Sequence, residues 1–170
     1  LASLALYVTP GADMAYIIAR TVGHGFRTGI ICALAVFVGI LIHILAAGLG
    51  IAAILSTSQT AFMVIKYAGA AYLLYLAYRM VTVKPAIEVS TAQAPARHHR
   101  IFWEGVLINV LNPKISLFML AFLPQFVDAT KGSAFVQLLF LGLIFNVGGL
   151  IWSTFMVFSV SRFKKAQLQS

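Results

Sequence analysis

The chain has 170 residues, of which 61% are apolar and only 9% charged, with a mean hydropathy of +0.97. Soluble domains carry about 25% charged residues, so this composition excludes a water-solvated globule and points to an all-α, polytopic membrane protein. The formal charge of +8 does not mark a nucleic-acid binder, because the basic residues sit in separate loops rather than along one stripe.

Five apolar stretches are expected to cross the bilayer: residues 1–19, 28–55, 60–81, 103–127 and 133–160. The chain is already apolar at Leu1, with no basic leader region and no cleavage site, so no signal peptide is read. The first stretch is expected to lack its beginning. It is interrupted by Thr9-Pro10-Gly11-Ala12-Asp13. A proline removes a backbone donor and frees a carbonyl one turn earlier, here that of Leu6. The second stretch carries Cys32, a small buried residue with no disulfide partner, and a face of Ala35, Gly39, His43, Ala46 and Gly50. Small residues on one face admit a second helix at close range, which turns His43 toward the bundle, as a packing residue or a proton relay.

In the third stretch Lys66 is expected to reach to the interface, and Tyr67, Tyr72, Tyr75 and Tyr78 to serve as anchors and packing residues. The loop after it, residues 82–102, is a solvated linker, and the adjacent His98 and His99 lack the further ligands a metal needs. The fourth stretch breaks at Asn109-Val110-Leu111-Asn112-Pro113-Lys114, where Pro113 frees the carbonyl of Asn109. In the fifth, Asn146 lies among Gly142, Gly148 and Gly149, a weaker case of the same kind as His43.

The connecting charges alternate. Arg20, His24 and Arg27 fill the first loop, and the second has none. The third holds Arg79, Lys84, Arg97, His98, His99 and Arg100 against Glu88, the fourth pairs Asp128 with Lys131, and the tail adds Arg162, Lys164 and Lys165. Cytoplasmic loops are enriched in Lys and Arg, so the first loop, the third loop and the tail are expected inside. Three spans then separate the two breaks, and the broken segments cross in opposite directions, as an inverted repeat requires. Such a three-plus-three arrangement makes residues 1–170 one transmembrane domain. Its first repeat covers about residues 1–81 and its second runs from about 103, with a sixth span expected beyond Ser170.

Broken spans with ionisable side chains are the sequence signature of a carrier site, since hydrocarbon tolerates neither freed backbone groups nor charge without a purpose. Asp13 stands at the restart of the first broken helix, either as a cap, as a proton site, or as counter-charge to an ammonium. Asn109 and Asn112 are one turn apart and can answer loosened carbonyls or bind a polar ligand. Lys114 can pair with Asp13, hold a substrate carboxylate, or reach to the interface.

At these residues the chain resembles the lysine exporter superfamily (LysE), in particular its homoserine/threonine-resistance (RhtB-type) branch. The likeness rests on TPGADMAYIIART at the start, AGAAYLLYLAYR from Ala68, and GVLINVLNPKISLFMLAFLPQFVD from Gly105. Ala12 stands where the family's first motif has a second proline. The resemblance implies an exporter of amino acids or derivatives such as threonine, homoserine or homoserine lactone across the bacterial inner membrane, driven by proton antiport and needing no cofactor. It places function on Pro10, Gly11, Asp13, Asn109, Asn112, Pro113 and Lys114, and His43 joins Asp13 as a proton-coupling candidate. The partners implied are the amino acid, protons and the lipid bilayer, with no nucleic acid. A homodimer is permitted by the small-residue faces. The competing readings are a passive pore and a structural or assembly subunit; an enzyme finds no nucleophile motif or metal cluster to support it.

Overall fold

The computed structural model describes residues 2–58, 60, 61, 63, 64, 67, 68, 71, 74, 75, 78, 82 and 97–167. Most of the third predicted span and of the loop after it therefore lie outside the described residues, including Lys66, Tyr72, Arg79, Lys84 and Glu88. The described positions between 60 and 82 are helical, and no strand occurs among the described residues. The protein is a helical membrane protein.

The first broken segment is two helices, α1 (Ala2–Val8) and α2 (Ala12–His24). The residue before a proline avoids helical backbone, so Thr9 leaves α1 and the chain turns through Pro10 and Gly11 before restarting. α2 runs further than the hydropathy suggests and carries Arg20 and His24 within the helix. The first loop shrinks to Gly25, whose φ of 88° suits a residue without a Cβ and whose N–H bonds the Thr21 carbonyl at 2.9 Å. α3 (Phe26–Thr57) follows at once. The second broken segment is α4 (His98–Val110) and α5 (Pro113–Phe122), closed by a 3-10 turn at Leu123–Phe126. A second short turn, Ala129–Lys131, leads into α6 (Ala134–Gln167).

Among the described residues, Phe26–Ile51 and Ala134–Lys165 are long and apolar enough to cross a membrane. The α4–α5 pair, bent by 51° at its break, makes a third if taken as one span. The bend has a local cause, since Pro113 cannot donate to the carbonyl of Asn109 and its ring clashes there.

The chain folds as two compact units. The first comprises Leu1–Gly39, Pro85–Leu111 and Asn146–Ser170. In it, α3 meets α4 through Gly39 and Gly105 and meets α6 through Gly29. A Cβ on Gly39 would fall 2.5 Å from Asn109 Oδ1, one on Gly105 2.9 Å from the Ala35 Cβ, and one on Gly29 2.7 Å from Val157. Cys32, Ala33, Ala35, Ile17 and Val157 are buried around these approaches. The Tyr7 side chain packs on the Gly148–Gly149 pair of α6 and seats α1 there.

The second unit comprises Ile40–Lys84 and Asn112–Phe145. Phe118 stacks on Phe122 and meets Phe145 at a tilt, and Gly142 admits Ile44 at close range. Its polar connection is tied by Asp128. That carboxylate accepts from the Thr130 N–H at 3.0 Å and from the Thr130 hydroxyl at 2.6 Å, and it pairs with Lys131. Gln137 accepts from the Asp128 N–H and donates to its carbonyl.

The predicted small-residue face of α3 is thus tight at Ala35 and Gly39 but opens further on. Ala46 and Gly50 are exposed, and a Cβ on Gly50 would meet nothing within 4 Å. Gly39→Ala is expected to cost about 1–3 kcal/mol through overpacking against Asn109, and Gly50→Ala to be neutral or to stabilise by up to about 1 kcal/mol through helix propensity. Thermal unfolding of the two variants in detergent checks the contrast. A second prediction concerns acid. The Thr130 hydrogen bonds, then Lys131, hold the Asp128 carboxyl below its ordinary value of 3.8. A lowered carboxyl stabilises fully above the unfolded value, and this contribution fades as pH falls through the lower folded value. An NMR titration midpoint for Asp128 at or above 3.8 would contradict this account of the loop.

Candidate functional site

The first break belongs to the first unit. α2 starts at Ala12 with Gly11 as its N-cap residue, in extended backbone and with no side chain to cap the helix. Asp13 is therefore the second residue of α2, in the turn where free N–H groups favour a negative charge. It is half-buried, and its Oδ1 is shielded from solvent.

The second break is built differently. Leu111 closes α4, donating its N–H to the Leu107 carbonyl at 2.9 Å. Asn112 then caps α5: its Oδ1 accepts from the Lys114 N–H at 3.0 Å, and Pro113 occupies the first helical position, where a missing N–H costs nothing. The Asn112 carbonyl accepts from both the backbone N–H and the hydroxyl of Ser116. Lys114 thus sits in the first turn of α5, where the helix dipole disfavours a cation and an anionic neighbour or ligand would offset that cost.

His43 lies in the second unit with these residues. Its Nδ1 is 3.5 Å from Ser116 Oγ, and the Ser116 hydroxyl lies 3.2 Å from the Asn112 carbonyl. A polar chain therefore runs from His43 through Ser116 to the second break. Ser116 was not among the residues the sequence singled out, although its place four residues after Asn112 puts it one turn along the same face. Asn109, by contrast, belongs to the first unit, fully buried, with its side chain against Gly39. Of the predicted site residues, Asp13 and Asn109 fall in the first unit, and His43, Asn112 and Lys114 in the second.

A further polar cluster lies within the first unit. Arg20 donates to both carboxylate oxygens of Glu104, each at 2.9 Å, in a bidentate pair with Arg20 the more buried partner. Tyr16 donates its hydroxyl to the Ile101 carbonyl at 2.6 Å, with the Arg20 guanidinium 5.4 Å over its ring. Lys164 donates to the Val22 carbonyl at 2.6 Å, near the C-terminal end of α2. Residues 16–22 of α2 thus hold α4 through Ile101 and Glu104 and α6 through Lys164. Glu104 escaped the sequence reading, and its signal was a lone carboxylate at the head of an apolar stretch.

The profile of the LysE type translocators matches residues 4–170, and the chain belongs to that family. Members are translocators, not enzymes. A homoserine/homoserine lactone efflux protein of Salmonella typhimurium is 32% identical over 127 residues, covering 75% of this chain and 62% of the relative. An uncharacterized membrane protein of Bacillus subtilis is 30% identical over 94% of this chain and 80% of its own length. A leucine efflux protein of an Enterobacter strain is 26% identical over 95% and 79%. The chain thus spans less than two thirds of the Salmonella relative. No solved structure matches it.

The Arg20–Glu104 pair should be measurable. A double-mutant cycle on Arg20→Ala and Glu104→Ala is expected to give a coupling of about 1 kcal/mol, because the partly exposed geometry limits what even a bidentate pair is worth. Thermal unfolding of the four proteins reads it, and a coupling near zero would mean the pair contributes nothing to holding α2 on α4.

Proposed function

We propose that the protein exports amino acids or close derivatives from the cytoplasm by proton antiport, through a site served by its two broken helices. The observation that carries this reading is the pair of breaks, each restarting a helix with an ionisable residue in its first turn, Asp13 in α2 and Lys114 in α5. A carrier needs such helix ends, because free backbone groups recognise ionic substrate groups where hydrocarbon offers nothing. The family membership and the efflux names of its relatives support the same class of solute.

In this reading the protein crosses the bacterial inner membrane several times with its basic loops on the cytoplasmic side, and the two breaks belong to inverted repeats of one transporter domain. Asp13 is the proton-sensitive acid, and His43, through Ser116, is a second proton-coupling group. Asn109, Asn112 and Lys114 contribute to substrate binding, with Pro10, Gly11 and Pro113 setting the breaks.

The solutes named for the relatives add a chemical constraint. Homoserine, homoserine lactone and leucine share a primary ammonium next to a carbonyl, whereas the lactone has no free carboxylate. A carboxylate partner such as Lys114 suits two of the three. An acceptor for the ammonium suits them all.

Uptake of labelled threonine, homoserine and leucine into inside-out vesicles with an acidified lumen tests the proposal. Uptake is expected to collapse with an uncoupler and to fall by at least about tenfold in Asp13→Asn, a loss of roughly 1.4 kcal/mol in transition-state stabilisation. Uptake that survives both treatments would point to a passive pathway and remove Asp13 from the coupling.

A further inference from the structure

Within the first unit, Asn146 of α6 is fully buried and donates its Nδ2 to the Phe37 carbonyl of α3 at 3.0 Å. This contact fixes the amide's orientation, since the flipped form would set two oxygens against each other. The Asn146 Oδ1 is therefore a pure acceptor, enclosed and without a hydrogen-bond partner among the described residues. An enclosed acceptor left unsatisfied costs about 1–3 kcal/mol. A leucine, which has the same branching but no polar atom, would avoid that cost at this position.

The location bears on the purpose. Phe37 lies well inside the Phe26–Ile51 span, about 16 Å from its start at 1.5 Å per residue, and Asn146 about 18 Å from the start of Ala134–Lys165. The contact is therefore far from either end of both spans, at the depth where carriers bind their solutes. The first break is close along the same helix. Tyr7, two residues before Thr9, packs on Gly148 and Gly149, within one turn of Asn146. The side chain of Tyr7, just before the first break, thus reaches α6 within one turn of this acceptor.

We propose that Asn146 Oδ1 receives the primary ammonium of the transported solute, and so selects for amino compounds whether or not they carry a carboxylate. This rests on the exporter reading above and assigns the part of the site that recognises the ammonium. A side-chain amide suits the task, because it binds a cation without adding a fixed charge that would hold the solute too tightly to release. A site built to hydrogen-bond one group discriminates strongly against compounds lacking it.

Two substitutions separate this role from a structural one. Asn146→Leu removes donor and acceptor together. Asn146→Asp, neutral when protonated in an apolar setting, keeps an acceptor and supplies an O–H for the Phe37 carbonyl. With leucine as solute in energised inside-out vesicles, Asn146→Leu is expected to raise KM by about tenfold or more with kcat changed far less, and Asn146→Asp to restore much of the affinity. Isoamylamine, which is leucine without its carboxylate, should lose potency as a competitor in Asn146→Leu, whereas 4-methylpentanoate, leucine without its ammonium, should not. Should Asn146→Leu fail to accumulate in the membrane, Asn146→Ala is read in the same way. An unchanged KM, or equal loss of potency for amine and acid, overturns the assignment and leaves Asn146 as an interhelical tie. Wild-type vesicles that take up none of the amino acids tested overturn the exporter reading and this assignment together, which separates the two failures.

Discussion

Hydrocarbon supplies no hydrogen bonds, so every interruption of a membrane helix must satisfy its backbone from within the protein. That constraint governs both breaks, and they meet it in different ways. At the second, Asn112 caps the restarted helix, Pro113 fills the one position where a missing donor costs nothing, and Ser116 returns two donors to the Asn112 carbonyl. The break is closed by its own sequence. At the first, Gly11 offers no capping side chain, and the restarted helix carries Asp13 in its opening turn.

Close packing of backbones does the rest in the first unit. Gly39 makes room for Asn109, Gly105 for Tyr16 and Ala35, Gly29 for Val157, and Gly148 for Tyr7. Lipid tails are as apolar as leucine, so helices in a membrane gain little from hiding apolar surface and associate through such fits and a few polar ties. Such ties include Asn146 to Phe37, Tyr16 to Ile101 and Arg20 to Glu104. The last two fasten α2, just after the first break, to α4, just before the second.

Much of this was legible in the sequence. Hydropathy gave helices of membrane-spanning length, and the two prolines marked where helices stop and restart. The motifs around them gave the family. Boundaries were less legible: the first loop contracts to Gly25 because α2 absorbs Arg20 and His24, and a charged residue near a span end reads equally as loop or helix. The small-residue face of α3 was right in periodicity but only half used, since Ala46 and Gly50 stand exposed. Glu104, Ser116 and Asn146 gained their meaning from partners on other helices, about which a single sequence is silent.

The sequence by itself determined the class of fold, the place of each break and the residue types available there, because proline chemistry, hydropathy and capping act over one or two turns. Only the tertiary structure decided which of those residues are spent on holding the backbone and which keep unused capacity. Asn112 and Asn146 are the same side chain, yet the Oδ1 of the first caps a helix end and that of the second is an enclosed acceptor with no partner among the described residues. The Asn112 cap is made two residues along the chain, whereas the state of Asn146 depends on packing between segments far apart in sequence.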